Sequence, residues 1–154
     1  MKELTEGEAL NKAAGYCTLC ERCRYEVSTK LKACGVEHSV QERILQRLES
    51  EGFIDESRYC KAFVNDKLRF NHWGRLKIVA AMRQKHLQQS DINNAIAQID
   101  EEQYIDILRN LIQTKSKELK NNDHATKQKI IRFVASRGFE PSLIFDQLDY
   151  NSDF

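Results

Sequence analysis

Three cysteines, Cys17, Cys20 and Cys23, recur as C-x2-C-x2-C near the start of the chain, a pattern that could hold a metal ion. A structural zinc site needs four ligands, usually two pairs clamping a loop. The further candidates here, Cys34, His38 and Cys60, stand apart from the trio. The spacing of the three is also helical, and cysteine packs as a small apolar side chain, so they read as thiols in or near a core rather than as a metal site. His38, His72, His86 and His124 are scattered, with no serine or aspartate placed to make a nucleophile pair. Neither G-x-x-x-x-G-K nor G-x-G-x-x-G occurs, so no phosphate loop is expected. The acidic pairs Asp55–Glu56 and Glu101–Glu102 fall at expected helix starts, where a carboxylate meets the positive end of the helix dipole. They read as caps, not as an acid–base pair. No catalytic residue, metal or cofactor is expected, and the chain reads as a binding protein rather than an enzyme.

The other residues that could do chemistry are basic. No acid occurs from Lys67 to Ser90, while acids gather at Glu3–Glu8, Glu49–Glu56 and Asp100–Asp106. The net charge of +1 therefore conceals a segregated field, which attracts anionic partners. The candidate partner-binding residues are Arg58, Lys61, Lys67, Arg69, Trp73, Arg75, Lys77, Arg83 and Lys85. Tryptophan and arginine are frequent binding hot spots, and cations interleaved with aromatics suit phosphate contact. A solvated helix face, with Trp73 packed on the preceding helix end, is the plainer alternative. Reversing Arg75 and Lys77 to Glu is expected to weaken binding without unfolding the protein. A second functional reading makes residues 73–85 a recognition helix for DNA or RNA. Against it, the sequence pI of about 7.6 lies below that of a strongly basic nucleic-acid domain.

These residues need elements to position them, and the composition favours helices. The chain has 154 residues, one proline and six glycines, too few turn residues for an all-β fold. Apolar residues recur every three or four positions. Helices are expected near 5–16, 21–34, 39–50, 55–70, 73–85, 90–99, 101–118, 124–137 and 142–149, with Thr5/Glu8 and Ser39/Glu42 as capping boxes. No apolar run approaches the roughly 18 residues of a membrane span. The acidic N-terminal stretch does not resemble a signal peptide. A cytoplasmic protein with reduced thiols is expected.

The segments "CGVEHSVQERILQRL", "KHLQQSDINNAIAQI" and "RGFEPSLIFDQLD" align. Gly35, His86 and Gly138 share one position and Ser39, Ser90 and Ser142 another, at spacings of 51 and 52 residues. Each unit is then a first helix, a second helix, a tight turn and a short third helix. Such a unit buries only about 60% of its surface alone, so neighbours should share their cores. The expected fold is all-α: three tandem three-helix repeats at 1–51, 52–100 and 101–154 forming an elongated, curved array, expected to be monomeric.

"GFIDESRYCKAFV" at 52–64, followed by "WGRLKI" and later "RGF", resembles the RecX family of bacterial recombinase regulators. Gly52, Asp55, Glu56, Arg58, Tyr59, Ala62, Phe63, Val64, Gly74 and Ile78 occupy the family's pattern, as do Arg22, Glu26, Val27, Lys30 and Leu31 in "RCRYEVSTKL". The resemblance spans nearly the whole chain. It implies three tandem three-helix repeats, and a regulator that binds the RecA recombinase in its nucleoprotein filament and reduces its ATP hydrolysis and strand exchange in recombination and repair. It implies no cofactor and no catalysis. The chain departs from the pattern at Cys60, where alanine is common, at Cys23, often serine, and at His86, which replaces the turn glycine.

Overall fold

Thr5 Oγ1 accepts the Glu8 amide at 3.1 Å, and the carboxylates of Asp55, Asp100 and Asp123 accept the amides of Arg58, Gln103 and Thr126 at 3.0, 3.2 and 2.8 Å. Each supplies an acceptor that the first turn of a helix lacks. The computed structural model describes residues 3–121 and 123–152. Among them it shows nine α-helices and no strand: α1 (Glu6–Leu19), α2 (Arg24–Ala33), α3 (His38–Ser50), α4 (Glu56–Arg69), α5 (Arg75–Gln84), α6 (Gln89–Ala97), α7 (Glu101–Leu119), α8 (His124–Ser136) and α9 (Pro141–Ser152). Every helix lies within three residues of its expected ends. One expected cap is wrong. α3 begins at His38 after Glu37, so Ser39 sits inside the helix, and Glu42 turns away to pair with Arg24 at 3.0 Å.

The repeat survives in the backbone. Ser39, Ser90 and Ser142 are each the second residue of α3, α6 and α9. Gly35, His86 and Gly138 all take left-handed backbone, with φ of 80°, 58° and 95°. For His86, which has a Cβ, that conformation costs about 1 kcal/mol.

The described chain divides into two compact units, residues 1–62 with 82–92 and residues 63–81 with 93–154. In the first, α1, α2 and α3 bury Ala9, Ala13, Val27, Leu31, Ile44, Leu45, Leu48 and Ile54 as one cluster. In the second, α7, α8 and α9 pack together, with Tyr104, Leu108, Ile112, Val134, Phe139 and Ile144 buried and the Tyr104 and Phe139 rings 5.1 Å apart. Tyr59, Val64 and Leu68 of α4 and Ile78 and Met82 of α5 are buried as their spacing predicts, whereas Phe63 and Val79 are half-buried.

Each unit contains one junction where the middle helix of a repeat meets the repeat that follows. In the first unit the Arg24 amide, the first of α2, donates to Glu56 at 3.3 Å, and Lys85 pairs with Glu26 at 3.0 Å. The Tyr25 and His86 rings stand 5.2 Å apart there. In the second unit the same places are filled by backbone. Gly74 donates to the Arg137 carbonyl at 2.7 Å, Leu76 to the Gly138 carbonyl at 3.0 Å, and the Arg75 amide to the Tyr104 hydroxyl at 3.1 Å. Gly74 holds the place of Cys23 one repeat on, and Gly138 that of His86. A Cβ on Gly74 would lie 2.4 Å from the Gly138 carbonyl carbon, so that position admits no side chain.

Candidate functional site

Of the nine candidate residues, Arg58, Lys61, Arg83 and Lys85 belong to the first unit and Lys67, Arg69, Trp73, Arg75 and Lys77 to the second. Three are committed within their own unit. Arg58 pairs with Glu21 at 2.5 Å and donates to the Gly52 carbonyl at 3.1 Å. Lys85 holds Glu26 at the first junction, as described above. Arg75 is the most engaged: its guanidinium binds Glu101, reaches Glu140 at 2.6 Å, and lies 3.9 Å from the centre of the Tyr104 ring. The Tyr104 hydroxyl donates to Glu140 in turn. Burial, with that hydrogen bond, raises the Tyr104 phenol well above its ordinary value, so it stays protonated. Reversing Arg75 would place a third carboxylate beside Glu101 and Glu140 with no cation between them. Reversing Arg75 is therefore expected to cost stability as well as binding, and Lys77 is the informative position of that pair.

The others are exposed or half-buried. Lys61, Arg69 and Arg83 are exposed, and Arg83 Nε donates to Gln89 at 3.2 Å. Trp73 is half-buried, with the ammonium groups of Lys67 and Lys77 4.8 and 4.6 Å from its ring centre. Its amide donates to the Lys67 carbonyl at 3.0 Å, closing the end of α4, and His72 before it takes left-handed backbone at φ 55°. Trp73 does pack on the preceding helix end, and it is also cation-flanked. Among the described residues no carboxylate pairs with Lys67, Arg69 or Lys77.

The three cysteines of the C-x2-C-x2-C run fall in different environments. Cys17 is half-buried in α1, Cys20 is exposed at its end, and Cys23 is buried just before α2. No group of three or more metal-ligating side chains converges among the described residues. Burial pushes the Cys23 thiol up to about 11 and the Cys60 thiol up to about 12, so both stay protonated and unreactive at neutral pH. Nor is any helix among the described residues long and apolar enough to cross a membrane.

Glu140 and Tyr104 hold Arg75 in place, yet sequence reasoning passed over both. For the tyrosine a signal existed: Ile-Asp-Glu-x-x-Tyr occurs at 54–59 and again at 99–104. In both copies the aspartate caps a helix and the tyrosine lies on its inner side.

Family models for the first, second and third three-helix domains of RecX match residues 9–48, 55–96 and 101–148, in that order. A "Regulatory protein RecX" of Pseudomonas fluorescens is 32% identical over 126 residues, covering 80% of this chain and 79% of its own. The chain belongs to the RecX family. Another family member, from Prosthecochloris aestuarii, is 26% identical and matched over 97% of both chains. The chain spans 57% of the RecX of Lactobacillus johnsonii, at 25% identity. The fold agrees with the crystal structure of RecX from Lactobacillus salivarius at a TM-score of 0.84, with 97% of each chain covered and 16% identity. The RecX family is thus one of regulatory proteins built from three three-helix domains, and the expected fold class and family both stand.

Proposed function

We propose that this chain binds a RecA-type recombinase on its DNA filament and lowers the recombinase's ATP hydrolysis and strand exchange, catalysing no reaction itself. The observation that carries this reading is the run of three RecX domains, in order, from residue 9 to residue 148. Its relatives are named as regulatory proteins, and the chain's unpaired cations fit a partner with an anionic surface. Lys61, Lys67, Arg69, Trp73, Lys77 and Arg83 are the foremost contact residues, while Arg58, Arg75 and Lys85 first serve their own units. The three repeats, at 1–51, 52–100 and 101–154, act as one monomeric binding body in the cytoplasm, where the recombinase works.

The test is single-stranded-DNA-dependent ATP hydrolysis by the cognate recombinase, titrated with this protein. Inhibition well below one regulator per recombinase subunit is expected. An unchanged rate, with no co-sedimentation on filaments, overturns the proposal. Salt-sensitive binding to bare duplex DNA without recombinase would instead favour a nucleic-acid module acting directly on DNA.

A further inference from the structure

Two large apolar side chains stand exposed within three residues of the chain's one tryptophan: Phe70 at 76% and Leu76 at 54%. Exposed apolar groups scattered singly need no explanation, whereas a cluster rimmed by charge marks an interaction surface. The rim is mostly cationic, with the exposed Asp66 one helical turn before Phe70. Lys67 and Lys77 flank Trp73, Arg69 is exposed beside Phe70, and no acid occurs in the sequence from Lys67 to Ser90. All of these residues belong to the second unit except those beyond Ala81.

The state of the indole bears on what could cover this surface. Bases of a single strand bind by stacking on open aromatic faces. The π surface of Trp73 already carries two ammonium groups, each within 5 Å of its centre, and a base would have to displace them. Carboxylates meeting those ammoniums would leave both contacts in place, and an apolar side chain beside them would cover Phe70 and Leu76. The geometry points to a docking surface, made by Phe70, Trp73, Leu76, Lys67, Arg69 and Lys77, for a protein segment that sets carboxylates beside apolar side chains. Charge complementarity selects the partner and sets the register, and the apolar groups supply burial. This deepens the regulatory reading and rests on it: the segment belongs to the recombinase.

The single tryptophan makes the surface directly observable. Protein labelled with 5-fluorotryptophan gives one 19F resonance, that of Trp73. Two probes are compared, recombinase filaments on single-stranded DNA and a single-stranded oligothymidylate alone. Filaments are expected to shift or broaden the resonance, and the oligonucleotide to leave it unmoved. The variants Phe70→Ala and Lys67→Glu/Lys77→Glu change exposed or half-buried side chains, and retention of the parent's melting temperature checks their fold. Each is expected to weaken filament binding at least about tenfold. If the parent binds no filaments, the regulatory reading itself falls. Filament binding with an unmoved resonance and unaffected variants would overturn this surface alone. An oligothymidylate that shifts the resonance and loses affinity in the same variants would make the occupant a nucleic acid, and overturns the proposal equally.

Discussion

The two junctions solve one problem with opposite chemistry. Neither middle helix has a serine or aspartate at its cap: Cys23 precedes α2, with Glu26 accepting the Cys23 amide at 3.2 Å, and Gly74 precedes α5. In each, the following repeat provides the acceptor: Glu56 for the Arg24 amide and the Tyr104 hydroxyl for the Arg75 amide. The first junction then relies on side chains, Lys85 on Glu26 and His86 beside Tyr25. It leaves an open cleft of about 570 Å³ bordered by Tyr25, Ser28, Lys32 and His86. The second relies on backbone brought into direct contact through Gly74 and Gly138. Side-chain junctions tolerate substitution because their parts can shift, whereas a backbone junction has nothing to yield.

That contrast can be broken most sharply at its tightest point. Gly74→Ala should lower unfolding free energy by about 3 kcal/mol or more, while Cys23→Ala, at the matching place, should cost about 1 kcal/mol. Urea midpoints of the two variants check this, and equal losses would end the distinction. Next comes Glu140→Ala, which leaves the Tyr104 hydroxyl without its acceptor and the Arg75 side chain, about four-fifths buried, with Glu101 alone. A loss of about 2 kcal/mol is expected, against about 1 kcal/mol for Lys85→Ala at the first junction.

A smaller effect depends on pH. Burial, the largest influence, raises the Glu56 carboxyl above its ordinary value, with the Arg24 amide opposing. The folded protein therefore holds that proton more tightly than the unfolded chain does. The stability this confers is present below the unfolded carboxyl value and is lost as pH rises through the folded one. Glu56→Gln keeps an acceptor for the Arg24 amide and removes the titration. Its unfolding free energy should fall less than the parent's between acid and neutral pH, and parallel profiles would show that Glu56 does not titrate differently on folding. The smallest change is expected from His86→Gly, which relieves left-handed backbone but loses the Tyr25 ring contact. A net gain of about 0.5 kcal/mol is expected by thermal melting, and a loss would mean that the ring contact outweighs the backbone.

Helices were legible because their signals are local. Asp55, Asp100 and Asp123 cap from within their own first turns, and the 51- and 52-residue register appears in Gly35, His86 and Gly138. The junctions were not legible, because their bonds join residues far apart, such as Arg24 with Glu56 or Arg75 with Glu140. Arg75 shows the consequence. In sequence it is one more cation in an acid-free tract, and only the packed repeat reveals that two carboxylates have already claimed it. The cations around Trp73 were identified from composition, but the exposure of Phe70 and Leu76 needed the fold.

The borrowed caps also have a temporal meaning. A ribosome releases the chain from its N-terminus, so α2 emerges before Glu56 and α5 before Tyr104. The acceptors for the first amides of α2 and α5 are thus made only after those helices, although α2 carries its own box, the Cys23 amide donating to Glu26 at 3.2 Å. α8 does not wait, because Asp123 precedes it and caps it at once.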